Sequence, residues 1–417
     1  ARLPERPDGA HHERVEGAAP LVVGRPVEGA RRDAPGARDD VVEAAELVDG
    51  RLDERGHVLA VRDVGLDRED QYPPPEGITI EYPRPRLVTL IDCEDVLLRD
   101  LTLRNSPCWT VHPLYCENVA IENLSVYNPE DSPNTDGINP DSCRNVRIEG
   151  CHLDVGDDCV TLKSGYDEDG LRVDEPLENV LVTGCTMELG HGGVVIGSEM
   201  SGDVRNVAVT NCVFDRTYRG LRIKTTRGRG GVVENVRATN LVMRDIREEA
   251  FKISMHYERE FDIDGGDPES DTSQAIPEVR EVHYSDITVD GVQTAGAMLG
   301  LPEEHARNVS LSNVRVRDAA EGFRVERASG VTFSDVEVDT DGEPALAAES
   351  VDALDIDRLV ASSPDAPVMQ LRDVSQGFVR GCTAPEDAAV FVDDPGGTSD
   401  IAFGANRLSA ATEERQT

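Results

Sequence analysis

Apolar and polar residues alternate in short runs over most of this chain, and the runs repeat. Compare "CEDVLLRDLTL" from Cys93, "CENVAIENLSV" from Cys116, "CRNVRIEGCHL" from Cys143 and "LENVLVTGCTM" from Leu177. "VRNVAVTNCVF" from Val204, "VENVRATNLVM" from Val233, "VREVHYSDITV" from Val279 and "ARNVSLSNVRV" from Ala306 follow. Each carries Val in its fourth place, further apolar residues in the sixth, ninth and eleventh, and Asn, Asp or Gly in the eighth. The ninth place falls at Leu101, Leu124, Cys151, Cys185, Cys212, Leu241, Ile287 and Val314, with weaker copies at Val336, Leu359 and Cys382. The intervals are 22 to 34 residues, apart from one of 46 that holds an acidic insertion at 261–274.

A period of two means short strands, each with one buried face. A unit of one or two such strands and a turn cannot bury that face alone, so it must stack on its neighbours. The pattern predicts an all-β fold, a right-handed parallel β-helix whose rungs lie about 4.8 Å apart. A leucine-rich repeat is the second choice, but its Leu-x-x-Leu-x-Leu frame is missing. Cys151, Cys185, Cys212 and Cys382 share one column, and Cys93, Cys116 and Cys143 another, as small inward-facing apolar groups. The Asn and Asp residues at the rung corners suit turns.

Composition adds limits. The chain has 417 residues and a formal net charge of −39, with aromatic content of only 4%. Its only lysines are Lys163, Lys224 and Lys252. An acidic, Lys-poor surface stays hydrated in concentrated salt, where the Debye length falls to about 3 Å. A halophilic setting is therefore expected, and a nucleic-acid partner is not. There is no apolar run of about 18 residues, so no membrane span is expected. No signal peptide or initiator Met opens the sequence, and localisation and oligomeric state stay open. Nine Cys without a C-x-x-C pair argue against a disulfide framework or a zinc site.

Residues 1–70 use only Ala, Arg, Leu, Pro, Glu, Asp, Gly, His and Val, each of which has codons beginning with G or C. A GC-rich gene read in a shifted frame gives this alphabet. The expected domains are accordingly a non-native segment over 1–71, frame-shifted or disordered and without a stable fold, a β-helix catalytic domain over 72–407, and a disordered tail over 408–417.

The candidate chemistry sits in "SPNTDGINPDSC", "VGDDCVTLKSG", "GHGGVVIGSEMSG" and "RGLRIKTTRGRGG". Asp157 lies six residues after Cys151, and His191 six after Cys185. Equal offsets on successive rungs set two side chains one above the other. Asp136 precedes Asp157 by 21 residues, close to one rung, and Arg222 and Lys224 fall on the rung after His191. Asp136, Asp157, Asp158, His191, Arg222 and Lys224 thus converge on one ridge. Carboxylates held together cannot all ionise easily, so one keeps its proton near neutral pH. That places a general acid beside a general base, as glycoside hydrolysis requires. Arg222 can grip a carboxylate bidentately and Lys224 adds a point charge. Arg219, Arg222, Lys224, Arg227 and Arg229 form a local basic patch, which favours an anionic substrate. Lys163 reads as structural, Trp109 as a core or rung-stacking residue, and "YDEDG" from Tyr166 as solvated surface.

In this order on a β-helix, the four motifs resemble family 28 glycoside hydrolases, the polygalacturonases, which share a pectin-lyase-like solenoid. The resemblance runs from about 84 to about 316, and "SPCWTVHP", "SPNTDGINPDSC", "GHGGVVIGSEMSG" and "RGLRIKT" are similar to the bacterial and archaeal branch. It implies inverting hydrolysis of α-1,4-linked galacturonate, exo slightly before endo, without metal or cofactor. It implies Asp157 as general acid, Asp136 and Asp158 as the pair activating water, and His191 as the residue tuning the acid. It further implies Arg222 and Lys224 as binders of a sugar carboxylate, and Asn134 as an orienting or sugar-contacting residue. The partner is then a polysaccharide or an oligogalacturonide. The resemblance also implies an N-terminal cap where the restricted-alphabet segment stands, so poor stability of the chain is expected. A Ca²⁺-dependent pectate lyase and a non-catalytic polysaccharide-binding β-helix are the alternatives.

Overall fold

The computed structural model describes residues 84–257 and 275–408, apart from 364, 387 and 389. Five outlying strands, Leu21–Pro26, Arg51–Leu52, Val58–Leu59, Val64–Gly65 and Glu413–Gln416, are described at backbone level. The architecture is the right-handed parallel β-helix that the repeat predicts, with about 11 turns. Val96, Val119, Val146, Val180, Val207, Val236, Val282 and Val309 stack in parallel register, one per turn. All eight are buried, as is every ninth-place residue from Leu101 to Cys382. The core is one continuous column of such layers, so each turn is stabilised mainly by the turns above and below. The nine cysteines are free thiols, most of them inside these layers.

The corners follow from the sequence as well. Asn118, Asn145, Asn179, Asn206 and Asn235 all adopt left-handed backbone, with φ between 52° and 59°. Asn tolerates that region better than other non-glycine residues. Each amide donates to the corner beneath it, from Asn118 onto Asp95 at 3.1 Å up to Asn235 onto Asn206 at 2.8 Å. A second ladder includes Asn123 on Asp100, Asn240 on Asn211 and Asn313 on Asp286.

The sheet that carries the candidate chemistry contains Val88–Ile91, Val111–Leu114, Val160–Leu162, Val194–Gly197, Leu221–Lys224 and the end of Val232–Ser254. Its register aligns Thr161, Val195, Arg222 and Lys252 in one column, and Gly197, Lys224 and Ser254 in another. The "YDEDG" stretch is more than solvated surface: it opens a short helix, Asp167–Val173. Asp167, Glu168 and Asp169 in the first turn and Arg172 in the last complement the helix dipole. Arg229 pairs with Asp167 and lies 4.0 Å over the exposed ring of Tyr166, tying the helix to the solenoid.

The expectation of no stable fold over 1–71 falls mostly outside the described residues. Within it, Leu21–Pro26 pairs antiparallel with Cys93–Arg99, and Val64–Gly65 pairs parallel with Thr102–Arg104. Of the expected tail, Glu413–Gln416 pairs with Val390–Gly396 and supplies partners to that strand's open edge. The acidic insertion at 261–274 lies outside the described residues. Among the described residues no helix is long and apolar enough to cross a membrane.

Candidate active site

Three carboxylates meet just ahead of the strands of that sheet. Asp136, Asp157 and Asp158 each bring an oxygen to within 4.8 Å of the others. The backbone register explains why. Thr110 N donates to Asp136 O, and Gly137 N to Asp158 O, so Trp109, Asp136 and Asp158 occupy one outward column on three successive turns. Asp157 is the neighbour of Asp158 and projects beside it.

Asp136 is buried, and its Oδ2 accepts hydrogen bonds from Asn139 Nδ2 at 2.7 Å and Thr161 Oγ1 at 2.9 Å. Burial first, and then the nearby charge of Asp157, push its pKa up to about 7. Asp157 goes the other way. Burial acts to raise it, but the hydrogen bond and charge of His191, the charge of Lys224 and the Asn134 amide outweigh that and hold it at about 2. His191 Nδ1 lies 3.2 Å from Asp157 Oδ1, and the Asn134 N–H donates to Oδ2 at 3.0 Å. The same contact with Asp157 raises the pKa of His191, more than burial lowers it. Burial and like charge thus favour the protonated form of Asp136, while the His191 contact favours the ionised form of Asp157.

Lys224 reaches Asp158 from the basic side: Nζ donates to Asp158 Oδ2 at 2.8 Å, and both groups are buried. The bond spans the intervening turn, which carries Gly192, Val195 and Gly197. Glycine is required there. A Cβ on Gly192 would lie 2.4 Å from Val195 Cγ2 and 3.1 Å from Asp158 Oδ1, and Gly197, at φ +90°, would put one 2.1 Å from Lys224 O. Asp158 Oδ1 is buried with no hydrogen-bond partner among the described residues. Such an atom is costly unless water or a ligand satisfies it. Arg222, on the column next to Lys224, has its guanidinium 5.2 Å from the centre of the Tyr257 ring, and Lys224 Nζ lies 5.1 Å from the same ring.

The structure thus brings Asn134, Asp136, Asp157, Asp158, His191, Arg222 and Lys224 to one ridge. It divides the basic patch, however. Arg219 pairs with Glu248 and Glu249, Arg227 with Glu303, and Arg229 with Asp167, so those three charges serve ion pairs away from the trio. Lys163 is buried and bonded to Glu199 at 2.6 Å, and its charge also acts to lower the pKa of Asp136. Trp109 is half-buried between the cations of Arg86 and Lys163, each 4.6 Å from its ring. Sequence reasoning missed Asn139, Thr161, Tyr218 and Tyr257. Asn139 and Thr161 could have been found from their rung positions beside Asp136. Tyr218, whose ring packs edge-on against His191 at 5.2 Å, and Tyr257 carry no repeat signal.

Fold and side-chain cluster together define a solenoid with an acid/base site flanked by cations. The sequence model of Glycosyl hydrolases family 28 matches residues 80–320, and the chain belongs to that family. A probable polygalacturonase of Vitis vinifera is 37% identical over 227 residues, which is 54% of this chain and 45% of that protein. The polygalacturonase QRT2 of Arabidopsis thaliana is 31% identical over 47% of this chain and 41% of its own. The chain thus spans less than half the length of these curated relatives. The exopolygalacturonase structure from Thermotoga maritima is 30% identical over 67% of this chain and 53% of that one, with a TM-score of 0.48.

Proposed function

We propose that this chain hydrolyses α-1,4-galacturonosyl linkages in polygalacturonate or its oligomers. The observation that carries the reading is the meeting of three carboxylates within 4.8 Å, with His191 on Asp157 and Lys224 on Asp158. Asp157 is the general acid, and Asp136 and Asp158 activate water. A uronate beside Arg222 and Lys224 takes up their charge and weakens the field that keeps Asp157 ionised. The proton of Asp136 then shifts to Asp157. Asp157 gives it to the leaving glycosidic oxygen as the C–O bond breaks. Water, held against Asp158 Oδ1, adds to the anomeric carbon and loses a proton to Asp136. The cycle ends with Asp136 protonated and Asp157 ionised, as it began.

Inversion is part of the proposal through the family resemblance. By the usual rule, inverting pairs lie about 6.5–9.5 Å apart and retaining pairs about 5–5.5 Å, so a cluster this tight makes the product anomer an informative measurement. Exo attack is preferred, on the likeness of "GHGGVVIGSEMSG" to the bacterial and archaeal branch. The test is incubation with oligogalacturonides in strong brine, with products separated by size and the first anomer read by NMR. Monomer alone supports exo action and a ladder endo action; no cleavage refutes the hydrolase.

The calcium-dependent lyase has one observation in its favour, the same clustered carboxylates, which could ligate a cation. Lys224 and His191 already occupy two of them, which favours hydrolysis. A chelator that stops the reaction, together with an unsaturated product, would establish the lyase. The binding-only alternative predicts that Asp157→Asn changes nothing but affinity.

A further inference from the structure

The outward column of Asp136 and Asp158 continues below them. Leu87 N donates to Trp109 O at 3.1 Å, which aligns Arg86 with Trp109 as Trp109 aligns with Asp136. Arg86, Trp109, Asp136 and Asp158 therefore occupy four successive turns. Arg86 lies two turns, about 10 Å, below Asp136, and Arg222 lies two turns above Asp158. Arg86 is exposed, and its guanidinium rests 4.6 Å over the ring of Trp109, the only tryptophan of the chain. Arg84, on the same segment, donates to Pro133 O and Asn134 Oδ1, each at 2.8 Å, and the Asn134 N–H in turn holds Asp157. Most arginines on this acidic solenoid close an ion pair. Among the described residues, neither Arg84 nor Arg86 has a carboxylate within 4.0 Å.

We infer that Arg86, held by Trp109 and supported by Arg84, forms a second uronate-carboxylate subsite on the opposite flank of the acid trio from Arg222 and Lys224. This rests on the reading of the acid trio as a galacturonan site. Its physical content is that the substrate's carboxylates are gripped on both sides of the scissile bond. A planar guanidinium with one face on an aromatic ring keeps its fork of donors at the edge, aimed at an incoming carboxylate. Arg84 contributes positive potential and fixes the 133–134 backbone, so binding at this flank is coupled to the Asn134 contact with Asp157. A substrate with a neutral methyl ester at that sugar would lose the grip.

The test uses the full chain carrying Asp157→Asn, which the proposed mechanism leaves unable to turn over. Calorimetry with trigalacturonate is compared with and without Arg86→Gln. The expected result is a loss of affinity of about tenfold, typical of one charge-assisted contact, with partial recovery in Arg86→Lys. Methyl esterification of the sugar on that flank should weaken binding to the parent and leave Arg86→Gln unaffected. Because Arg86 is exposed, its variants should keep the circular dichroism and melting temperature of the parent. Unchanged affinity in Arg86→Gln, or no binding by the parent, overturns the subsite. Cleavage by the unmutated chain is scored separately. If that fails while the Arg86 effect holds, the hydrolase reading falls and the subsite stands.

Discussion

Replacing Asp136 by Asn should make the protein more stable at neutral pH and abolish the proposed hydrolysis. Asp136 takes up its proton at about 7 in the folded chain, against a usual value of 3.8. The unfolded chain loses that proton near pH 4, whereas the native chain keeps it until about pH 7. Between those values the native state binds more protons, so its stability falls as pH rises. The difference of about 3 units corresponds to ~4 kcal/mol at most above pH 7. An Asn at 136 removes this cost. Its amide oxygen can accept the same two bonds from Asn139 and Thr161, and its NH₂ can donate toward the remaining carboxylates. Urea unfolding of both chains at pH 4, 6 and 8 reads the effect. The two should agree near pH 4, and the variant should gain progressively until about pH 7. Equal gaps at pH 4 and pH 8, or a variant less stable at pH 8, would refute the argument that burial, and then like charge, set this carboxyl group. Loss of hydrolysis alongside a gain in stability is the trade expected where a site stores repulsion for use.

Further outcomes follow from the same geometry. His191→Gln removes the contact that holds Asp157 at about 2, so the acid limb of the kcat/KM profile should move up in pH and kcat should fall about 10- to 100-fold; an unmoved limb would deny His191 that role. Gly192→Ala should cost ~1–3 kcal/mol by overpacking and slow the reaction, because its Cβ meets Val195 and Asp158; a variant with unchanged melting and rate would contradict the close approach. Lys224→Met strands a buried carboxylate on Asp158 and should destabilise by ~3–5 kcal/mol in urea titrations, far more than an exposed pair would. With a net charge of −39, the protein should melt several degrees higher at about 1 M than at about 0.1 M KCl, as screening shortens from about 10 Å to about 3 Å; a flat or falling midpoint would oppose the halophilic reading.

Much of the solenoid was legible because its energetics are local and periodic. The ninth-place column from Leu101 to Cys382 is buried throughout, as the alternation required. The shared offset of Asp157 and His191 translated into a contact of 3.2 Å because one turn maps rigidly onto the next. Features that break the period were not legible. The helix Asp167–Val173 is extruded between two repeats and owes its position to Arg229, a partner 62 residues away. The Lys224–Asp158 bond skips a turn and depends on the absence of side chains at Gly192 and Gly197. Tyr257 follows the last residue of its strand, where no column predicts its direction. The basic run around Arg222 looked uniform in sequence, and only the positions of Glu248, Glu249, Glu303 and Asp167 show that Arg219, Arg227 and Arg229 are drawn into ion pairs away from the acid trio.

The two asparagine ladders restrict how such a chain can change length. The laddered amides are each held by a residue one coil below, so removing or adding half a coil would leave these donors without their partners and throw all later layers out of phase. Material can be gained only as an entire coil, or as residues inserted at one corner with the strand register kept on either side, as it is across the 46-residue interval between Leu241 and Ile287. Engineering a longer cleft in this scaffold therefore means copying complete coils, asparagines included.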